Sequence, residues 1–332
     1  MLKSDNFLRI LAIPYSALVA VIFGIMLLSF PIGAYVIFNS DVGKEINFEY
    51  PLDGLNVFLG GLSFKLPLKF EIGEAFAVLW CIYIILFSIS IVGPNRNFKK
   101  ALTSLMTEGW QNIKKNSFLS MITWFSILIV FSVIIDSTQQ IFGVKTEPPE
   151  FQNALIQFFD VSASPLTEEI GFRVLLIGLP LYMMFSHKAS LRYFFKSLWH
   201  PSKNLEITNQ KKAVILIVIV GIFFGAAHII SGSPWSTGKF AQATVAGVTI
   251  GWVYFRYGLA PAILIHWATN YFIFSYVLFM SDINQTSIVN EFSNPFLNTV
   301  EVLLLSTGAL AIAMVVLNYI KSKKESTALM QA

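Results

Sequence analysis

Long apolar runs separated by short polar intervals dominate the chain. Eight of them predict membrane-spanning helices, at roughly 10–38, 74–93, 118–136, 153–185, 213–230, 240–256, 260–280 and 297–320. Each is close to or above the ~18 residues needed to cross a hydrocarbon layer, with few charges. The fourth run is long and interrupted. Ser162-Ala163-Ser164 followed by Pro165 predicts a break, with a new helix starting at the proline. One segment, 39–73, follows a different period. Phe64, Leu66, Leu68 and Phe70 alternate with Lys65, Pro67, Lys69 and Glu71, and Gly60-Gly61 separates this run from Leu55–Leu59. That pattern predicts a small hairpin outside the membrane between the first two spans. Pro67 makes its second arm an edge. The fold class is therefore all-α: a polytopic membrane protein with about eight transmembrane helices and a small extramembrane β-hairpin.

Charge then supplies an orientation. Only 13% of residues are charged, against about 25% in an average soluble domain. Arg96, Lys99, Lys100, Lys114 and Lys115 fall between the second and third spans. Lys188, Arg192, Lys196, Lys203, Lys211 and Lys212 fall between the fourth and fifth, and Lys321, Lys323 and Lys324 follow the last. The loops 141–152, 231–239 and 281–296 are poor in Lys and Arg. Eight passes with both termini in the cytoplasm put every basic cluster on the cytoplasmic side. The net charge of +4 sits in short clusters beside the spans, which points to the bilayer as partner and not to nucleic acid. The first apolar run is too long for a signal-peptide core and is expected to stay attached as a span. Trp110, Trp199 and Trp235 lie near span ends, where indole favours the interface. The single cysteine, Cys81, excludes an intramolecular disulfide and is expected to be a small buried apolar residue. Of the four histidines, His187 and His200 lie in a basic loop and are expected to be solvated.

The remaining ionisable groups lie inside apolar runs. Glu168, Glu169 and Arg173 open the second half of the fourth run; His228 ends FGAAH (224–228), and His266 and Asn270 frame HWATN (266–270). A charge near the bilayer centre costs about 2.5–3.5 kcal/mol on insertion scales, so such groups must pair or face a polar cavity. Glu169 and Arg173 share a helix face and are expected to form an ion pair. Glu168 is rotated roughly 100° away and is left over. Phe224 and His228 lie one turn apart, as do His266 and Asn270. A carboxylate and an imidazole together can polarise a water, with the carboxylate as general base. A second imidazole and an amide can donate to a developing oxyanion. These are the parts for hydrolysis of an amide bond. Glu168, His228 and His266 are also an alternative ligand set for Zn²⁺, although the helical zinc signature H-E-x-x-H is absent.

These three motifs, Glu168-Glu169-x-x-x-Arg173, Phe224-x-x-x-His228 and His266-x-x-x-Asn270, in that order on membrane spans, resemble those of the CAAX-protease and bacteriocin-processing family of intramembrane endopeptidases. That family includes the type II CAAX prenyl endopeptidases. The resemblance covers roughly 150–280. It implies that Glu168 is the catalytic base acting on water with His228. It further implies that His266 and Asn270 bind the oxyanion, and that Glu169 with Arg173 holds the site in shape. Members have been described both as metalloproteases and as metal-independent glutamate proteases. The implied organisation is an N-terminal helical region 1–149 with the hairpin 39–73, a catalytic core 150–280, and a last helix with a basic tail, 281–332. The implied substrate is a membrane-embedded or lipidated protein or peptide, with a prenylated CAAX protein as one class. Two other functions use the same groups: a non-catalytic peptide-binding or immunity protein, and a proton-coupled transporter. No internal repeat supports the transporter.

Overall fold

The computed structural model describes residues 2–45, 50–59, 62–108, 116–146, 153–207, 209–230 and 236–331. Trp110, Lys114, Lys115, Trp235 and the Gly60-Gly61 turn lie outside them. The main helices are α1 (Leu2–Phe38), α2 (Ile72–Val92), α3 (Phe98–Glu108), α4 (Ser117–Ile141), α5 (Ala154–Glu168), α6 (Leu179–Phe185), α7 (Leu191–Trp199), α8 (Gln210–Ile230), α9 (Lys239–Tyr257), α10 (Leu259–Trp267), α11 (Ile273–Asn284) and α12 (Pro295–Gln331). Two wide π-helical segments, Glu169–Gly178 and Ala268–Phe272, join α5 to α6 and α10 to α11. Four short strands lie between α1 and α2. β1 (Pro51–Leu52) pairs with β4 (Phe70–Glu71), and β2 (Leu55–Leu59) pairs with β3 (Leu62–Leu66), both antiparallel. β3 stops one residue before Pro67, which cannot donate to a ladder.

Six stretches are long and apolar enough to cross a membrane: Phe7–Phe38, Ile72–Val92, Ser117–Ile141, Gln210–Ile230, Leu259–Asn284 and Pro295–Lys323. The chain is an integral membrane protein. The expected count of eight is not reached on this measure. The other two runs, 153–185 and 240–256, are helical, but the first carries Asp160, Glu168, Glu169 and Arg173, and the second is rich in Gly and Thr. The expected break at 162–164 is absent: α5 runs through Pro165. A proline in a helix leaves the carbonyl four residues back without its donor. Here that carbonyl belongs to Val161, and the Ser164 hydroxyl donates to it at 3.4 Å. Neighbouring side chains thus restore what the proline removes. The irregularity appears instead just after Glu168, where the π segment begins.

The N-terminal helices brace the region that holds the charges. Trp267 is fully buried, stacked on Phe30 of α1 with centroids 5.5 Å apart and edge-on to Phe87 of α2 at 4.9 Å. Tyr271 donates to the Ser29 carbonyl of α1 at 3.2 Å and accepts from Trp80 Nε1 of α2 at 3.0 Å. Tyr83 of α2 donates to the Ser162 carbonyl at 2.6 Å. Cys81 is exposed on α2, so it faces outward from an apolar helix instead of lying in the core.

α8 and α9 pack closely along their length. Gly247 of α9 meets Gly221 of α8 so closely that a Cβ at Gly247 would lie 2.9 Å from both the Cα and the carbonyl oxygen of Gly221. A Cβ at Gly225 would lie 2.1 Å from Thr244 Oγ1 and 2.8 Å from the Phe240 carbonyl. Gly247 and Gly251 form a G-x-x-x-G on α9, and Gly221 and Gly225 of α8, two turns and one turn before His228, lie on the facing side of the contact. Gly247→Ala is expected to destabilise the protein by about 1–3 kcal/mol, because backbone must shift to admit the methyl. Gly24→Ala in α1 meets nothing within 4 Å and should leave stability unchanged. Thermal unfolding of both variants in detergent checks the contrast.

Candidate active site

The first π segment sets the positions of the acidic motif. Its hydrogen bonds reach one residue further than in an α-helix; the Leu179 N–H, for example, bonds the Val174 carbonyl. Such widened turns occur frequently at functional sites. Glu168 ends the regular helix and is partly accessible. Glu169 and Arg173 are completely buried, with Arg173 Nε 2.9 Å from Glu169 Oε2. The expected ion pair is present. Arg173 Nη1 and Nη2 have no hydrogen-bond acceptor among the described residues. The guanidinium instead lies over the Phe224 ring, 4.7 Å from its centroid. A weakly hydrated planar cation tolerates that environment better than an ammonium.

Glu169 has a second contact that the sequence did not reveal. Its other oxygen, Oε1, is 2.9 Å from His266 Nδ1. A carboxylate only accepts, so Nδ1 carries the proton. This fixes the ring and turns Nε2 toward Glu168, whose Oε2 lies 3.9 Å away. Glu168 Oε2 is buried and receives no hydrogen bond from the described residues. His228 is held differently. Its Nδ1 lies 2.8 Å from the Phe224 carbonyl one turn back, so Nδ1 is again the donor, and in the neutral ring Nε2 is the free acceptor. The Phe224 ring packs between the two imidazoles, 4.6 Å from His228 and 6.0 Å from His266. Among the described residues no hydrogen bond joins Glu168 to His228. The Glu168 charge nevertheless acts on both His228 and Lys239, the first residue of α9.

Asn270 lies in the second π segment. Its Nδ2 donates to Ser164 Oγ at 3.0 Å, and its Oδ1 accepts from Thr269 at 3.3 Å. Ser164 was not anticipated, although it lies one turn before Glu168 on the same face. The structure thus gathers Glu168, Glu169, Arg173, Phe224, His228 and His266, with Asn270 anchored beside Ser164. At about 1.5 Å per residue, His266 lies roughly 10 Å from the first residue of α10 and His228 over 20 Å from the first residue of α8.

The alternative zinc set does not fit. Zinc needs nitrogen and oxygen donors about 2.0–2.2 Å from one centre. Glu168, His228 and His266 do not gather that way, and no trio of His, Cys, Asp or Glu among the described residues does so. The expectation for His200 also changes. It is not solvated: its Nε2 donates to the Arg256 carbonyl at 2.9 Å, docking the end of α7 on α9. Burial pushes its pKa below the usual imidazole value. His187 meets Tyr193 and Glu206 at 3.1 and 3.5 Å.

A bundle of apolar helices thus encloses carboxylates, imidazoles and an arginine. Residues 150–272 match the family described as type II CAAX prenyl endopeptidase Rce1-like. That segment holds all three motifs, and the CAAX-protease resemblance is borne out there. No curated protein and no solved structure matches the chain.

Glu169→Gln removes the charge partner of a buried arginine and is expected to cost about 3–5 kcal/mol. Glu168→Gln replaces a carboxylate that receives no hydrogen bond at Oε2 from the described residues and should change stability by less than about 1 kcal/mol. Unfolding midpoints in detergent measure the difference. Equal losses would refute this division of roles.

Proposed function

We propose that the protein is an intramembrane endopeptidase of glutamate type, cutting a peptide bond of a membrane-embedded or lipidated protein with water activated by Glu168. The observation that carries this reading is the Glu168 carboxylate, whose Oε2 receives no hydrogen bond from the described residues and faces an imidazole 3.9 Å away. A water bridging Glu168 Oε2 and His266 Nε2 would satisfy both groups, since separations beyond ~3.5 Å are commonly water-mediated. Glu168 takes a proton from that water as its oxygen forms the new bond to the scissile carbonyl carbon. The carbonyl oxygen becomes an oxyanion, stabilised by donors. Asn270 supplies an amide N–H. His266 donates through Nε2 as the imidazolium, its charge balanced by Glu168 before the attack and by the oxyanion after it, since Glu169 is already paired with Arg173. The C–N bond then breaks, and the proton on Glu168 passes to the leaving amine, with His228 Nε2 as a second proton acceptor beside the path. Glu169 and Arg173 keep His266 oriented and the inner wall neutral.

The residues 150–280 are the catalytic core in this reading, and 1–149 supply the aromatic brace behind Trp267 and Tyr271. The runs 153–185 and 240–256 also cross the bilayer, shielded by their neighbours, which gives eight passes. Both termini then lie in the cytoplasm, on the side that collects the basic loops.

Cleavage is expected to fall by a factor of about 10²–10⁴ in Glu168→Gln, the range for loss of a positioned general base. The test compares peptide termini in membranes of the native host carrying wild type or Glu168→Gln at equal abundance. Termini generated only by wild type identify the substrates and show whether they are lipidated. Identical termini, with both proteins folded, would reject the protease reading in favour of a binding protein. Phe224→Ala should lower stability by about 3–5 kcal/mol and reduce cleavage, because the ring separates His228 from His266 and covers Arg173.

A further inference from the structure

A second cleft lies away from the Glu168 site, at the end of the bundle where several helices start or stop. It has a volume of about 580 Å³, within the range of small-molecule sites. Its walls combine Lys196, Lys203 and Asn204 with Phe195, Trp199 and Ile89, and none of its lining residues is acidic. His200 also faces it. Burial favours the neutral form of that imidazole, so the positive charge of the cleft comes from the two lysines.

The helix α7 that forms one wall has nine residues, too few to span. It nevertheless exposes a stripe of large apolar side chains at four-residue spacing: Leu191 at 79%, Phe195 at 65% and Trp199 at 42% exposure. On the wheel, Arg192 and Lys196 fall beside this stripe, within about 140° of Leu191. An exposed apolar stripe flanked by cations is the pattern of a helix lying in the membrane–water interface. The level agrees. The cleft is closed by Ile89 near the last turn of α2, Ser117 at the first residue of α4, and Ala260 and Pro261 at the start of α10. α7 is also fastened to the core, through Tyr254 of α9, which donates to the Leu198 carbonyl at 2.7 Å.

We propose that this cleft binds the headgroup of an anionic phospholipid. The phosphate sits between Lys196 and Lys203, whose segments Asn204 ties together by donating through Nδ2 to the Lys196 and His200 carbonyls at 2.8 and 2.9 Å, and the acyl chains leave along Phe195, Trp199 and the exposed side of α2, where Ile89 and Val92 are 46% and 66% accessible. Charge complementarity selects the lipid class, and the position at the helix ends selects a lipid over a soluble anion.

The test uses the full chain reconstituted in nanodiscs. Binding of phosphatidylglycerol is compared with phosphatidylcholine by native mass spectrometry, with inorganic phosphate as the soluble probe. Saturable binding of phosphatidylglycerol, at least tenfold tighter than phosphatidylcholine and not displaced by millimolar phosphate, is expected. The double variant Lys196→Gln/Lys203→Gln should weaken it by tenfold or more, since each lysine near the surface contributes an attraction of that order. Lys211→Gln/Lys212→Gln, on α8 outside the cleft, should bind as wild type does. Equal binding of the two lipids by wild type would overturn the proposal without reference to any variant. So would displacement by phosphate, or equal weakening by both double variants.

Discussion

The two oxygens of Glu169 have different partners, and the arrangement of the site follows from that. Oε2 neutralises Arg173 and Oε1 orients His266. A buried carboxylate is tolerated only where charge and hydrogen bonds are both supplied. Here the arginine supplies the charge and the imidazole the hydrogen bond. The imidazole fixed in this way turns its second nitrogen to Glu168. In the proposed mechanism the outer carboxylate is the one left for chemistry, because both oxygens of the inner one are engaged.

The helical, membrane-bound class was legible from the spacing of apolar runs, because lipid and interior both demand apolar side chains. So was the hairpin, since a period of two is hard to mistake for a helix. The three motifs were legible because charge in such runs is costly and therefore conspicuous. The Glu169–Arg173 pair followed from helix geometry alone. The Glu169–His266 bond did not, because it joins residues 97 positions apart and no local rule reaches that far. Pro165 misled for a related reason. Its local preference is to start a helix, but Ser164 satisfies the carbonyl it orphans, and the helix continues. His200 resembled a solvated loop residue because its partner, the Arg256 carbonyl, is visible only once the loop folds back onto α9.

The N-terminal helices contribute without supplying a reactive group. Phe30 and Phe87 fix Trp267, and Ser29 and Trp80 fix Tyr271. These two aromatics directly follow His266 and Asn270 in sequence. The precision of those two polar side chains therefore depends on helices that carry none of the motifs.

The glycine contact between α8 and α9 bears on how a substrate can arrive. Where backbones touch, no side chain can swing aside to make room. Separating Gly221 from Gly247 would part the whole helix pair and carry His228 away with it. A polypeptide arriving laterally from the lipid must therefore use a different seam of the bundle, one closed by side chains that can rotate.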